Sequence, residues 1–221
     1  MPESTRGIKA TLHESFAAIA KAAAHPHRLV LLEHLAQGER NVDALAATAG
    51  LTVANASQHL KSMLHAGLLA ARRDGKFTFY RLADDSVLDL LDAIGRIARR
   101  NDAAVKEVVT SYFSARDDME PVSRRELRQR MKAGTVTVVD VRPKEEFAMG
   151  HVPGAINIPP SELNRRLADL PRSKEVVAYC RGPYCVFAFE AVAALRKAGY
   201  RARRLEDGMP HWRAEGLPVA Q

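Results

Sequence analysis

The sequence predicts two domains, a mainly α one followed by an α/β one. Three observations carry this. Apolar residues recur at helical spacing through the first half, which ends in one hairpin signal and a long helical stripe. Short apolar runs alternate with helical segments through the second half. Between them, residues 114–121 are charged and end in proline. A chain of 221 residues, 47% hydrophobic, suits two modest domains better than one. We place them at 1–116 and 123–221, with 117–122 as linker. No apolar run approaches the roughly 20 residues a membrane helix needs, and residues 1–12 lack a secretory core. The expectation is a cytoplasmic protein without membrane contact and without a cofactor. Its two cysteines make no disulfide framework, so they are expected to be reactive and kept reduced.

Residues 15–24 are alanine-rich and predict a helix, which His25-Pro26 interrupts. A second helix covers 28–36, with Leu29, Leu32 and Leu35 on one face, and Gly38 ends it. Asn41 caps a short helix with the stripe Val42, Leu45 and Ala46, and Gly50 closes it. Thr52 caps the next, with Ala56, Leu60, Met63 and Leu64 on one face and Asn55, Gln58, His59 and Ser62 on the other. Two short helices joined through Gly50 suggest a helix-turn-helix. Residues 68–73 and 76–82 then flank Asp74-Gly75, a hairpin signal and hence a wing.

The formal charge of +7 and pI near 9.6 do not by themselves argue for nucleic acid, because the basic excess lies in the second half. Local clustering does argue for it. Across 61–81, Lys61, Arg72, Arg73, Lys76 and Arg81 face only Asp74, a net charge of 5 − 1 = +4.

Residues 86–113 predict one long helix, with Val87, Leu90, Leu91, Ile94, Ile97 and Ala98 on a stripe that Val105, Val108, Val109 and Tyr112 continue. Such a helix overhangs a small domain. Its stripe packs against a second copy or against the second domain of the same chain.

Ser57-Gln58-His59-Leu60-Lys61, His65-Ala66-Gly67-Leu68 and the Asp74-Gly75 wing together resemble the winged-helix repressors of the ArsR family, over residues 12–115. The resemblance implies that Val53–His65 enters the major groove of double-stranded DNA. There Asn55, Ser57, Gln58 and His59 would reach base edges and Lys61 a phosphate, with Arg72, Arg73 and Lys76 on the backbone or minor groove. It also implies a homodimer through 86–113, matching a palindromic operator. No metal site is expected: no cysteine precedes residue 180, 86–113 holds no histidine, and His25, His27, His34 and His65 read as surface or capping residues.

In the second half, Ser123 and Glu126 form a capping box for a helix to Ala133, and Gly134 stops it. Strands are predicted at 136–139, 155–158, 176–179 and 201–205, with helices at 161–168 and 186–198, so the sheet is parallel. Both cysteines flank one loop. Cys180 ends a buried strand, Arg181, Gly182, Pro183 and Tyr184 turn the chain, and Cys185 and Val186 begin a helix. Loop amides and a helix N-terminus favour negative charge and would lower a thiol pKa. Against this stands the usual fate of cysteine as a small buried hydrophobe, but the loop brings one cysteine at each end within reach of the other.

Three stretches are similar to a rhodanese domain over 121–219. They are Asp140-Val141-Arg142 with Glu145-Glu146-Phe147, then 150–159 beginning Gly150-His151-Val152, and Leu205-Glu206-Asp207-Gly208 through Trp212. The resemblance implies a persulfide-carrying Cys180 cradled by amides from Arg181 to Val186. It puts Asp140 and Arg142 near the same end of the sheet, Asp140 holding the loop and Arg142 pairing with a neighbouring carboxylate. A purely structural role for that pair is equally open. His151 and Trp212 read as framework. Where related sulfurtransferases carry a basic residue late in the loop, this chain has Cys185. Related phosphatases and arsenate reductases need an arginine there, so their chemistry is disfavoured.

Two readings follow. One is a dimeric repressor in which Cys180 accepts sulfane sulfur from thiosulfate or a persulfide and Cys185 attacks that persulfide or bridges to Cys180, releasing DNA. The other is a sulfurtransferase whose winged helix localises or dimerises it.

Overall fold

The structure, a computed structural model, describes residues 3–117 and 119–221, with side chains from residue 7 onward in the first helix. Met1, Pro2 and, within the expected linker, Asp118 lie outside the described residues. The chain divides into two compact units, Met1–Asp92 and Ala93–Gln221, the first with one buried apolar cluster and the second with two.

The first unit holds α1 (Glu3–Ala23), α2 (Pro26–Gln37), β1 (Arg40–Asn41), α3 (Val42–Ala49), α4 (Val53–His65), β2 (Leu69–Asp74) and β3 (Phe77–Leu82). The last helix, α5 (Ser86–Asn101), begins here and runs on into the second unit. His25-Pro26 does part α1 from α2, since proline fits the first turn of a helix, where its missing N–H costs nothing. Gly50 adopts φ 65° at the end of α3, and Leu51 N–H donates to the Ala46 carbonyl, so the turn into α4 is a left-handed glycine cap. Leu31, Leu32, Leu35, Leu45, Leu60, Met63, Leu68, Leu69 and Tyr80 fill the core.

Two expectations shift in register. On α2 it is Leu31, not Leu29, that is buried beside Leu32 and Leu35. On α4 the buried stripe is Ala56, His59, Leu60 and Met63, while Leu64 is exposed. That stripe keeps the i, i+3, i+4, i+7 spacing of one helix face.

The wing turns one residue later than the sequence suggests. Asp74 pairs with Phe77 across the β2–β3 ladder, so the two-residue loop is Gly75-Lys76. Gly75 has φ 58°, and a positive φ at the first loop residue of such a hairpin is where glycine is needed.

The expected single helix over 86–113 is interrupted. Beyond α5, Asp102 has extended dihedrals and its carboxylate accepts from Ala104 and Val105 N–H, which starts a new helix, α6 (Ala103–Val108). A π-helical turn, Val109–Ser114, follows. Aspartate competes for backbone donors and so favours a cap over a helix interior.

The second unit continues with α7 (Arg124–Lys132), β4 (Val136–Asp140), α8 (Lys144–Ala148), β5 (Ile156–Asn157), α9 (Pro160–Arg166), β6 (Glu175–Tyr179), α10 (Val186–Lys197), β7 (Ala202–Arg204) and α11 (Met209–Ala214). The four strands are parallel, in the order β5-β4-β6-β7. Period-2 alternation splits each central strand between two cores. Val176, Ala178 and Cys180 face α9 and α10, while Val177 and Tyr179 face α7 and α11. The short helices α8 and α11 escape a reading by periodicity because they are one or two turns long.

The two ends of the expected linker, Asp117 and Val122, are tied down. Buried Asp117 pairs with Arg196 at 2.7 Å and Arg204 at 3.2 Å. Val122 exchanges backbone bonds with Arg204 and Glu206.

Candidate functional site

Parallel pairing sets Asp140 opposite Tyr179, so β4 and β6 end level and the chain leaves both at the same edge. Cys180 is the first residue beyond β6. It is 1% exposed, and Cys185, which directly precedes α10, is 8% exposed. The two are joined as a disulfide with their Cα atoms 6.1 Å apart, whereas the sequence suggests a reduced pair. Both side chains lie in the core between the sheet and α10. The N-terminus of α10 adjoins the pair, with Cys185 at its cap position.

Three contacts shape the loop. Met209 N–H donates to the Cys180 carbonyl at 3.0 Å, and Cys185 N–H donates to the Gly182 carbonyl at 3.1 Å. Arg181 forms a bidentate pair with the Glu146 carboxylate, Nη2 at 2.8 Å and Nε at 3.0 Å to its two oxygens. Gly208 presses its backbone on the loop so closely that a Cβ there would lie 2.2 Å from the Arg181 carbonyl group. Gly182 meets no such restriction.

Asp140 and Arg142 sit beside this edge, fully buried, and bond to each other. The Asp140 carboxylate accepts from the Arg142 backbone N–H and guanidinium, with Nη2 at 2.6 Å, and Arg142 also donates to the Gly150 carbonyl. Burial works against the Arg142 charge, but the Asp140 bonds and charge outweigh it and hold its pKa above the usual value. Burial pushes the Tyr179 phenol up, and Asp140 adds to this. The Tyr179 hydroxyl accepts from Val152 N–H. The carboxylate that grips the cysteine loop is therefore Glu146, and Asp140 instead locks Arg142 against the segment at Gly150.

His151 stacks on Phe147 and bridges to Ala220 through its backbone, and Trp212 Nε1 donates to the Pro218 carbonyl from inside the core. Both are framework.

Tyr184 is partly exposed and is not one of the residues packed around the two cysteines. Its ring lies 5.9 Å from Phe113, and the Arg99 guanidinium sits over it at 5.1 Å. A Cβ on Gly95 would meet it at 3.7 Å. Phe113 packs in turn on Phe189 of α10 at 4.6 Å. Thus the second half of α5 and the π turn touch the cysteine loop through its tyrosine. Val186, the first residue of α10, is also partly exposed.

On the first unit, Asn55, Gln58 and Lys61 of α4 are exposed and Ser57 is half-buried. His59 is buried, and its Nδ1 accepts from Arg28 Nε at 3.3 Å, so it is not on the open face that the helical spacing suggests. In the wing Arg72 is engaged by Glu39 at 2.7 Å and Asp74 at 3.0 Å, which raises its pKa. Arg73 is exposed and donates to the Gly75 carbonyl, and Lys76 stands at the tip over Phe77.

Glu146 and Gly208 both lie in stretches quoted above for the rhodanese resemblance, but nothing in their spacing assigns them to the loop. The partners of Tyr184 carry no signal in the sequence. No helix among the described residues is long and apolar enough to cross a membrane.

The Rhodanese-like domain family matches residues 123–215, and a Helix-turn-helix domain family matches 23–72. The HTH-type transcriptional regulator Rv0324 of Mycobacterium tuberculosis is 44% identical over 211 residues, 96% of this chain and 92% of its own. A sulfurtransferase of Allochromatium vinosum is 34% identical over 85 residues, 38% of this chain and 78% of its own. Among solved structures, the homodimeric winged helix-turn-helix DNA-binding domain Mb0332 of Mycobacterium bovis, a possible ArsR-family regulator, is 36% identical. It covers 43% of this chain and 89% of its own, with a TM-score of 0.41.

Proposed function

Since the chain belongs to the ArsR-type helix-turn-helix transcriptional regulators, here with a rhodanese-like domain in its second half, we propose that it is a dimeric repressor that releases DNA when its cysteine pair takes up sulfane sulfur. The observation that carries this is the place of Tyr184, inside the Cys180–Cys185 loop and against Gly95 and Arg99 of α5.

The chemistry balances without a metal or cofactor. The Cys180 thiolate attacks the outer sulfur of thiosulfate, the S–S bond breaks, and sulfite leaves with the electron pair. Cys180 then carries a persulfide. The Cys185 thiolate attacks the inner sulfur of that persulfide, forming the Cys180–Cys185 disulfide and expelling hydrosulfide. Two thiols are oxidised and one sulfane sulfur is reduced. The bonded pair corresponds to the product of this sequence, and the reduced pair to its start. Tyr184 adjoins Cys185, so a change in loop closure is passed to α5, and a coupling of roughly 1 to 3 kcal/mol suffices for regulation.

DNA would be read by Asn55, Ser57 and Gln58 on α4, with Lys61, Arg73 and Lys76 on phosphates. A twofold dimer accounts for two apolar faces left open. Ile8, Leu12, Phe16 and Ile19 on α1 are exposed, as are Ile94 and Ile97 on α5. Covering each such side chain is worth about 1.5–3 kcal/mol. The domain limits proposed are 1–116 and 123–221, with Asp117 anchoring the intervening stretch to the second domain.

The test uses a duplex selected by the reduced protein from a random pool. Its affinity is measured before and after polysulfide treatment, for the wild type and for Cys180→Ser. Treated wild type should bind at least fivefold more weakly, and the variant should not respond. Equal affinities in all four samples would sink the proposal.

The likeness to a sulfurtransferase favours a second reading, an enzyme. Repeated sulfur transfer from thiosulfate to cyanide that survives Cys185→Ser would establish it, because a sensor that needs both cysteines reacts only once.

A further inference from the structure

We propose that His25, His27 and His59 form a site for a divalent transition-metal ion, and that filling it frees α4 from Arg28. One nitrogen from each of the three rings lies within 4.8 Å of the others. The ring centroids are 5.1 Å apart for His25 and His27, 4.6 Å for His25 and His59, and 5.7 Å for His27 and His59. The fold brings them together from two elements. His25 caps α2, His27 lies in its first turn, and His59 projects from the buried face of α4.

The donor set fits borderline ions such as Zn(II). Imidazole binds them in the neutral form, and three imidazoles with one open position make a common tetrahedral arrangement. Ligand nitrogens on a tetrahedral Zn(II) stand about 3.3 Å apart, from Zn–N bonds of about 2.0–2.1 Å. The rings of His25 and His27 reach solvent and close that gap by side-chain rotation, with His59 as the fixed floor. Burial, followed by the nearby charges of His25, Arg28 and His27, lowers the His59 pKa, which is the direction that favours the neutral ring. Arg28 is the one cation seen bonded to the cluster among the described residues.

Occupation has a defined structural consequence. At present His25 Nδ1 accepts from His27 N–H at 3.2 Å, and His59 Nδ1 accepts from Arg28 Nε at 3.3 Å. A metal on Nδ1 uses that lone pair. A metal on Nε2 instead displaces the proton there to Nδ1, which then donates. Either way both bonds are lost. A dication also repels the guanidinium. Arg28 otherwise links His59 to the Ala22 carbonyl at 3.1 Å, tying the α4 helix to the end of α1. The site thus bears on the helix that the proposed function puts in the DNA groove, yet binding of the metal stands apart from that proposal.

The experiment titrates the full chain with Zn(II), and with Co(II) for its visible ligand-field bands. One ion per chain is expected, without thiolate charge-transfer absorption. His27→Gln removes the ligand whose ring makes no hydrogen bond among the described residues, and should weaken binding at least tenfold while thermal unfolding of the metal-free protein stays unchanged. The double variant Cys180→Ser, Cys185→Ser should bind as the wild type does. Absence of stoichiometric binding, or binding that survives His27→Gln and disappears in the cysteine variant, overturns the assignment. Weakened DNA affinity of the sulfur-treated, metal-free protein tests the earlier proposal separately.

Discussion

The Arg181 guanidinium meets the Glu146 carboxylate side-on, with Nη2 2.8 Å from Oε1 and Nε 3.0 Å from Oε2, across 35 residues of chain. Glu146 is 1% exposed. Removing it leaves a charged arginine without its partner at the mouth of the cysteine loop. Glu146→Ala should therefore lower stability by on the order of 3 kcal/mol in urea denaturation, the scale for breaking one side of a largely buried pair. It should also slow sulfur loading on Cys180, read by intact mass.

Gly208 tests loop packing by sterics alone. Its φ is −121°, open to any residue, so no backbone strain enters. A Cβ would nonetheless lie 2.2 Å from Arg181 backbone atoms and 2.4 Å from Gly182 N. Gly208→Ala should cost about 1–3 kcal/mol, seen as a lower unfolding temperature, while Gly182→Ala should fall within about 1 kcal/mol of wild type.

Tyr184→Ala separates sulfur uptake from its readout. Cys180 should still take up sulfur, as measured by mass, because Tyr184 is not among the buried residues packed around Cys180 and Cys185. The fall in DNA affinity on polysulfide treatment should shrink at least threefold, because the contacts with Arg99 and Phe113 are gone. A full response in the variant would exclude this route.

The basic residues of α4 and the wing should differ in their contribution to DNA binding. Lys61 and Lys76 are exposed, so replacing either with alanine should reduce the slope of log affinity against log salt by about 1. Arg72 is neutralised by Glu39 and Asp74. Arg72→Ala should change the slope by less.

Acid should weaken the fold of the first unit through His59. Its folded pKa lies below its ordinary value of 6.5. Above that pH both states are neutral and stability is full. As pH falls below 6.5 the unfolded chain takes up the proton first, so stability declines until the folded pKa is passed. Denaturant midpoints between pH 7.5 and 5 should show the decline, and His59→Gln should flatten it.

Most of the fold is legible along the chain because periodicity, caps and glycine stops are local. The Asn41, Thr52 and Ser123 caps are found where the side chains predict them. The strand-loop-helix around Cys180 is legible for the same reason, and both cysteines are visible as its ends. Missed boundaries are those where local signals compete. At Asp102 a cap overrides a continuing apolar stripe, and in the wing glycine serves as the first loop residue rather than the second.

By itself the sequence determined two domains, their order, a helix-turn-helix with a wing, a parallel sheet, and a cysteine pair astride one loop. All of these follow from residues near one another in the chain. Tertiary structure alone decided that Glu146 rather than Asp140 grips the loop, that Tyr184 rests on α5, and that His25, His27 and His59 converge. Residues far apart in sequence meet only when sheet register and helix rotation are set, and burial is what sets them. His59 shows the difference most plainly. Helical spacing leaves it on the polar face beside Gln58, and the turn of α4 needed to bury Ala56, Leu60 and Met63 carries it inside.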